Sequence, residues 1–241
     1  MGSFFAGIKA GTLSGILYLG GLAAFNVALL YLLRPEVLST IQQSYSSICG
    51  PAAVNGTSVD DCFSLVVSVY VPFDAFVGFF VALIYAGIFG VAYDSFPSRS
   101  PSLKGVLIAA PVGFSLVYFG LSGFYFNAQS AEATTVFLAV WTVVFGIFLG
   151  RLYKKYTRLV MFGSQDPKLL KVMVDGRDST GKAKTFALTS THRVRADVAE
   201  DASFKEWEPS GGVTLEDSKS FETSMEVNGD GSVKGNVGKK Y

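Results

Sequence analysis

The sequence has few residues of the kinds from which catalytic and metal sites are usually built. Its 241 residues include a single histidine, His192, and only two cysteines. One imidazole with no cysteine or second histidine nearby does not supply the ligands of a zinc site, so His192 is expected on the surface of a strand. No pairing of a nucleophile with a base is visible, and no phosphate-binding glycine loop follows a strand. We therefore expect no catalytic activity, no cofactor and no metal ion.

An excess of charge of one sign is also missing. The formal net charge is +1, and neither half of the chain has the basic face that nucleic-acid binding requires. Nucleic acid is therefore excluded as a partner. Residues 1–165 hold 8 Lys+Arg and 6 Asp+Glu, whereas the remaining 76 residues hold 12 and 13. This asymmetry predicts an apolar part followed by a polar part.

Long apolar runs dominate the first part, and the mean hydropathy of the whole chain is +0.40. A hydrocarbon core of about 30 Å is crossed by roughly 20 apolar residues. Four runs are long enough, at residues 11–33, 71–93, 105–126 and 134–152. A signal peptide is a weaker interpretation of the first run, which is too long and lacks a small-residue cleavage site. The sequence thus predicts a four-helix transmembrane domain over residues 1–160, in contact with the lipid bilayer.

Lysine and arginine in the predicted connections indicate an orientation, because short connections rich in these residues stay in the cytoplasm. One side carries seven of them, and the other side carries only Arg34. The seven are Lys9, Arg99, Lys104, Arg151, Lys154, Lys155 and Arg158. We predict a plasma-membrane protein with a cytoplasmic N-terminus and C-terminal domain and with the loop 35–62 outside.

Both cysteines lie in that outer loop, on either side of an Asn-Gly-Thr tripeptide at Asn55. Thiols oxidise and such tripeptides are glycosylated outside the cytoplasm, so the cysteines and the charge count agree. We predict a disulfide between Cys49 and Cys62 and a glycosylation site at Asn55. Two unpaired thiols are the alternative, because two cysteines alone are limited evidence.

Small residues recur at every fourth position in all four predicted spans. This spacing places them on one face of each helix, where the missing side chains let backbones approach closely. We expect the following residues to form helix contacts: Gly7, Gly11, Gly15, Gly78, Ala82, Ala86, Gly90, Gly105, Ala109, Gly113, Gly146 and Gly150.

Asp74 is the only acidic residue well inside an apolar run. A carboxylate in the membrane is by default a candidate ion or proton site. Arg34 is its expected partner. Asn26, in the first span, is expected to bond to a neighbouring helix or to line the same site.

The depth of Asp74 depends on where its helix begins. A helix that begins at Pro72 places Asp74 in the first turn, where a negative charge favours the helix dipole. A helix that begins at Ser58, with Asp61 completing a capping box, places Asp74 far from the helix end. Both interpretations remain open at the level of sequence.

The polar part changes to a period of two, with Gly, Asp, Asn and Pro at intervals of about ten residues. Six or seven short strands are predicted over residues 169–241, following a linker at 161–168. This pattern is typical of a small antiparallel sandwich.

The segment FKEWEPSGGVTLEDSKSFETSMEVNGDGSVKG resembles small immunoglobulin-like β repeats, including the internalin-type B repeats. In those repeats an aromatic F-x-x-W strand, a GG-V turn and a late GD-x-V hairpin recur. About 30 residues carry the resemblance, through Phe204, Trp207, Gly211, Gly212, Val213, Asp217, Gly229 and Asp230. It implies an immunoglobulin-like sandwich, which in such repeats usually faces the cell exterior. The membrane half resembles uncharacterised archaeal multi-pass membrane proteins.

These observations favour a non-catalytic membrane anchor or accessory subunit that presents a β-sandwich to a protein partner. The alternative is a small transporter or channel in which Asp74 and Asn26 line the helix bundle.

Overall fold

The computed structural model describes residues 3–43, 49, 58–98, 100–118 and 128–239. The helices are α1 (Phe4–Leu32), α2 (Arg34–Gln43), α3 (Val59–Leu65), α4 (Val71–Ala92), α5 (Pro101–Tyr118) and α6 (Ala128–Tyr156). The strands are β1 (Thr157–Ser164), β2 (Leu170–Val174), β3 (Arg177–Asp178), β4 (Ala183–Ala187), β5 (Ser190–Val198), β6 (Ala202–Leu215) and β7 (Glu222–Lys239). The apolar part is thus helical and the polar part is a β-sheet. The predicted glycosylation site Asn55 lies outside the described residues.

Among the described residues, three helical runs are long and apolar enough to cross a membrane. They are Phe4–Leu32, Val59–Ser95 and Ala131–Tyr156, and they contain nearly all of the predicted spans 11–33, 71–93 and 134–152. The predicted span 105–126 begins within α5 and ends outside the described residues.

The run Val59–Ser95, which we call the long helix, is continuous over 37 residues. Ser58 and Asp61 form a capping box at its start, each side chain accepting the backbone N–H of the other residue. A π-helical segment, Val66–Tyr70, connects α3 to α4 immediately before Pro72. Because proline has no N–H to donate to the preceding turn, this wider segment lets the helix continue through it. The prediction of a helix beginning at Ser58 is confirmed, and the alternative start at Pro72 is wrong.

The strands form one curled, mixed sheet in the order β3-β2-β5-β7-β1-β4, with β6 paired to β7. Backbone bonds from Ser179 N to Val172 O (2.8 Å) and from Gly181 N to Phe162 O (2.9 Å) join the segment after β3 to both β2 and β1. These bonds bring the two ends of the curl together. The largest side chains of the enclosed core include Trp207, Phe162 and Leu170.

Two details of the predicted β region need correction. Strand β1 begins immediately after α6 and overlaps the predicted linker 161–168. It lies parallel to β7, so the sheet is mixed where a purely antiparallel arrangement was predicted. Val160 is buried in the core while the neighbouring Leu159 is exposed. Apolar residues occupy both faces of β1, so its sequence lacks the alternation of apolar and polar residues by which a strand is recognised.

The segment that resembles β repeats forms the β6–β7 ribbon. Gly211 has φ +70°, and a Cβ there would meet the carbonyl oxygen of Asp230, so the close crossing of the two strands requires glycine. The pairing register shifts between Gly211 and Val213, which marks a bulge. The GG-V and GD positions therefore lie within long strands, where the resemblance had implied a turn and a hairpin.

The chain divides into two compact units. The β unit comprises Met1–Lys9, Gly87–Pro97 and Leu152–Tyr241, so it includes the ends of three helices together with the sheet. The helical unit comprises Ala10–Ala86 and Ser98–Arg151.

Candidate functional sites

In the helical unit, a polar pair joins α1 to α4. Asn26 Nδ2 donates a hydrogen bond to Asp74 Oδ2 at 2.9 Å. The Asn26 side chain is fully buried, and its Oδ1 has no hydrogen-bond partner among the described residues. The structure thus brings together two of the three residues that the sequence suggested for an ion or proton site.

Arg34 is not part of this pair, and its predicted pairing with Asp74 is wrong. Its guanidinium bonds to Asp60 Oδ1 at 2.8 Å and lies 5.5 Å from the centre of the Phe63 ring. The long helix begins at Val59, and this places Asp60 beside Arg34, just after the end of α1. Arg34 therefore pairs with Asp60 and not with Asp74. Eight residues separate Asn26 from Arg34, or about 12 Å along a helix. Asp74 therefore lies within the apolar run and away from both of its ends.

Another buried polar atom of the helical unit, Thr134 Oγ1, also has no partner among the described residues. Helices α1 and α6 pack together in this unit, because Trp141 Nε1 donates to the Tyr18 carbonyl at 3.2 Å and the rings of Phe25 and Phe137 stack at 3.9 Å. Buried oxygens without partners are costly and are usually satisfied by water, ions or substrate. At the pair of Asp74 and Asn26, a carboxylate and an amide together can hold a proton, a water molecule or a small cation.

The small residues lie where helix backbones come closest. A Cβ on Gly105 would meet the carbonyl oxygen of Gly146, and one on Gly150 would meet that of Pro101. In the β unit, Gly90 faces Ser3 and Gly7. Gly11 faces Ala86, Gly15 faces Phe79, Gly78 faces Leu22, Gly113 faces Thr142, and Ala82, Ala86 and Ala109 are fully buried.

The predicted disulfide between Cys49 and Cys62 is present, with the two Cα atoms 5.8 Å apart. Both cysteines are buried, in a cluster with Leu30, Ile41 and Phe63. The bond therefore ties the segment that follows α2 to the start of the long helix.

A second candidate site is a cavity of about 430 Å³ in the β unit. A chain of hydrogen bonds runs along its wall: Asp175 Oδ2 lies 2.7 Å from His192 Nδ1, and His192 Nε2 lies 2.8 Å from Ser190 Oγ. The His192 ring also packs on Phe186, with the ring centres 4.4 Å apart. His192 lies in strand β5, as expected, and its side chain is 21% exposed at the wall of the cavity.

Two basic side chains, Arg177 and Lys184, line the same cavity. Lys184 Nζ donates to Ser179 Oγ at 2.5 Å. Burial lowers the pKa of Lys184, and the positive charges of Lys182 and Arg177 lower it further. Two basic side chains and the carboxylate of Asp175 therefore line this cavity.

The sequence contained only a partial signal for this cavity. Ser190 and His192 are two apart in a strand and so share a face. Asp175, Arg177 and Lys184 come from a turn and two other strands, and only the curl of the sheet brings them together.

Within the described ranges, no group of three His, Cys, Asp or Glu residues lies close enough to hold a metal ion. No protein-family model, curated protein or solved structure matches this chain.

Proposed function

We propose that this chain is an integral membrane protein that binds a proton or a small monovalent cation at Asp74 and uses this binding in transport. The observation that carries the proposal is the pair of Asp74 and the fully buried Asn26. In a helix that began at Pro72, Asp74 would be a helix-end charge. In a helix that begins at Val59 it is an ionisable group inside an apolar run, and such groups usually mark ion or proton pathways.

The unpartnered oxygen of Asn26 supports the same proposal. A buried amide oxygen without a donor favours a bound cation, water or a protonated acid next to it. Asp74 provides the negative charge that such a cation or proton would balance.

The test is transport by the full chain in proteoliposomes. A proton, Na⁺ or K⁺ gradient should dissipate faster than in empty liposomes, and Asp74→Asn should remove this flux because it keeps the shape but not the charge. Asp60→Asn is the matched control, since it removes a carboxylate on the same helix whose partner is Arg34. The proposal fails if the flux is absent from the natural sequence or unchanged in Asp74→Asn.

A second function, that of an anchor or accessory subunit for a protein partner, is favoured by the firm attachment of the sheet to helix ends within the β unit. Thr185 donates to Asp94 through both its backbone N–H (3.2 Å) and its hydroxyl (2.5 Å). The Tyr153 hydroxyl donates to the Gly90 carbonyl and accepts the Ser3 N–H. A partner bound to the sheet would therefore be held in a fixed position relative to these helix ends. Cross-linking in host membranes should then recover one defined protein, and Thr185→Val should reduce its yield.

The proposed orientation keeps the N-terminus and the β unit in the cytoplasm, the four helices in the bilayer, and residues 35–62 outside. The disulfide supports it, because disulfides persist outside the cytoplasm. Because Cys49 and Cys62 are buried, the test uses a cysteine introduced by Ser39→Cys, at an exposed position of α2, which should react with a membrane-impermeant thiol reagent in intact cells. A cysteine introduced by Ser218→Cys should react only after permeabilisation, and labelling in intact cells would invert the topology. In that inverted topology the sheet would lie outside the cell, where immunoglobulin-like repeats are usually found.

A further inference from the structure

The hydrogen bonds around Ser190 determine where its proton lies. Ser190 Oγ is 2.6 Å from the carbonyl oxygen of Ala187 and 2.8 Å from His192 Nε2. A carbonyl oxygen can only accept, so the serine hydroxyl donates to Ala187. His192 Nε2 must then carry a hydrogen and donate to Ser190.

The other imidazole nitrogen faces a carboxylate. His192 Nδ1 lies 2.7 Å from Asp175 Oδ2, and a contact of this length between two lone-pair atoms needs a proton between them. Asp175 Oδ1 accepts the Arg193 N–H at 3.0 Å, which orients the carboxylate. Both oxygens of Asp175 are therefore engaged, Oδ2 by His192 and Oδ1 by the Arg193 N–H.

This arrangement differs from that of a nucleophilic serine. In a Ser-His-Asp triad the serine gives its proton to the imidazole, whereas here the serine hydroxyl is held by a carbonyl and the imidazole donates to it. The chain of three residues thus shapes the wall of the cavity and holds Asp175, the only carboxylate among the described lining residues, in hydrogen bonds.

Arg177 and Lys184 are the basic side chains that line the cavity. Lys184 uses one N–H on Ser179, which leaves two donors for a ligand. Burial is the largest cause of the lowered pKa of Lys184, and the positive charges of Lys182 and Arg177 add to it, so an anion in the cavity would favour the charged form of Lys184. Arginine and lysine together are a common pairing for phosphate recognition.

The position of the cavity indicates the source of the phosphate. Ser3 and Phe5 line it, and they lie at the start of α1, which is long and apolar enough to cross a membrane. Phe5 is 76% exposed, so its apolar ring is accessible beside the cavity. Basic pockets at the ends of membrane helices bind anionic headgroups.

We propose that this cavity binds the phosphate group of an anionic lipid headgroup through Arg177 and Lys184, with Phe5 and Phe186 against the apolar part of the lipid. A free phosphate ester has the same binding chemistry and is the alternative source. The proposal does not depend on transport at Asp74.

The test titrates the purified full chain in detergent with short-chain phosphatidylglycerol, phosphatidylcholine and glycerol 3-phosphate. Phosphatidylglycerol should bind at least about tenfold more tightly than phosphatidylcholine, and Arg177→Gln with Lys184→Gln should abolish this preference. Lys219→Gln with Lys234→Gln removes the same charge from exposed positions elsewhere and should retain it. Lys184→Arg keeps the charge and should bind as the natural sequence does, which separates loss of the site from loss of the fold.

Equal affinity for glycerol 3-phosphate and phosphatidylglycerol would support the phosphate site with a soluble ligand. The proposal is overturned if phosphatidylglycerol and phosphatidylcholine bind equally. It is also overturned if the control pair of substitutions loses the preference as fully as the cavity pair.

Discussion

The helical unit and the β unit both bury large side chains, Phe145 and Leu149 among those of the helical unit, but the helical unit also contains close glycine contacts between helices. In the helical unit, glycine faces such as those of Gly105 and Gly146 bring backbones together. In the β unit, Trp207, Phe162 and Leu170 fill the space between strands. Helices in lipid gain little from hiding apolar side chains and associate through close contact, whereas a sheet in water is stabilised by burying them.

The units also differ in how they treat buried polar atoms. Among the described residues, Asn26 Oδ1 and Thr134 Oγ1 are buried without partners in the helical unit, and Ser164 Oγ is buried without one in the β unit. The β unit satisfies even its largest polar side chain, since Trp207 Nε1 donates to the Ser220 carbonyl at 2.9 Å. The helical unit therefore contains buried oxygens without hydrogen-bond partners, and the oxygen of Asn26 supports the function proposed at Asp74.

The largest effect is expected from Trp207→Ala. This substitution leaves a cavity in the β unit and should lower its stability by about 3 to 5 kcal/mol. Hydrogen–deuterium exchange of the full chain should show faster exchange in peptides of β5, β6 and β7 and little change in peptides within residues 10–86. Equal loss of protection in both units would show that they unfold together.

Removal of the disulfide should have the next largest effect. Cys49→Ser with Cys62→Ser opens a loop with a sequence separation of 13 and should cost about 3 kcal/mol by the chain-entropy estimate. This part of the helical unit is packed with large side chains, among them Leu30 and Phe63, and so resembles the β unit. Reduction with dithiothreitol should lower the melting temperature of the natural chain and leave the double variant unchanged.

Gly105→Ala tests the glycine contacts directly. The added methyl group would meet the backbone of Gly146, which cannot move aside as a side chain can, so we expect a loss of about 1 to 3 kcal/mol. Gly20→Ala is the matched control, because no atom lies within 4 Å of the added Cβ. The control should be neutral or more stable by up to about 1 kcal/mol, as alanine favours a helix.

Thermal denaturation in detergent would compare the two glycine variants. If both melt at the same temperature, close backbone contact does not stabilise the helical unit, and the contrast with the β unit loses its basis.

Several features could be predicted from local pattern because each depends on residues close together in the chain. The capping box of Ser58 and Asp61 needs only a spacing of three, so the sequence could offer Ser58 as one of two possible starts of the long helix. The disulfide followed from two cysteines in one loop. Strand β1 was missed because Leu159 and Val160 are both apolar although they face opposite sides of the sheet. Periodicity alone does not separate such a strand from the end of a helix.

By itself, the sequence determined the division into an apolar helical part and a polar β part, the disulfide, and the identity of Asp74 as an acidic residue within an apolar run. These properties follow from composition and short-range spacing, which are independent of how distant segments meet. Tertiary structure decided that Asp74 pairs with Asn26 and Arg34 with Asp60, and that Asp175, His192, Arg177 and Lys184 share one cavity. The residues of each pair or cluster come from different elements, and their meeting depends on helix packing and on the parallel pairing of β1 with β7, neither of which leaves a local signal.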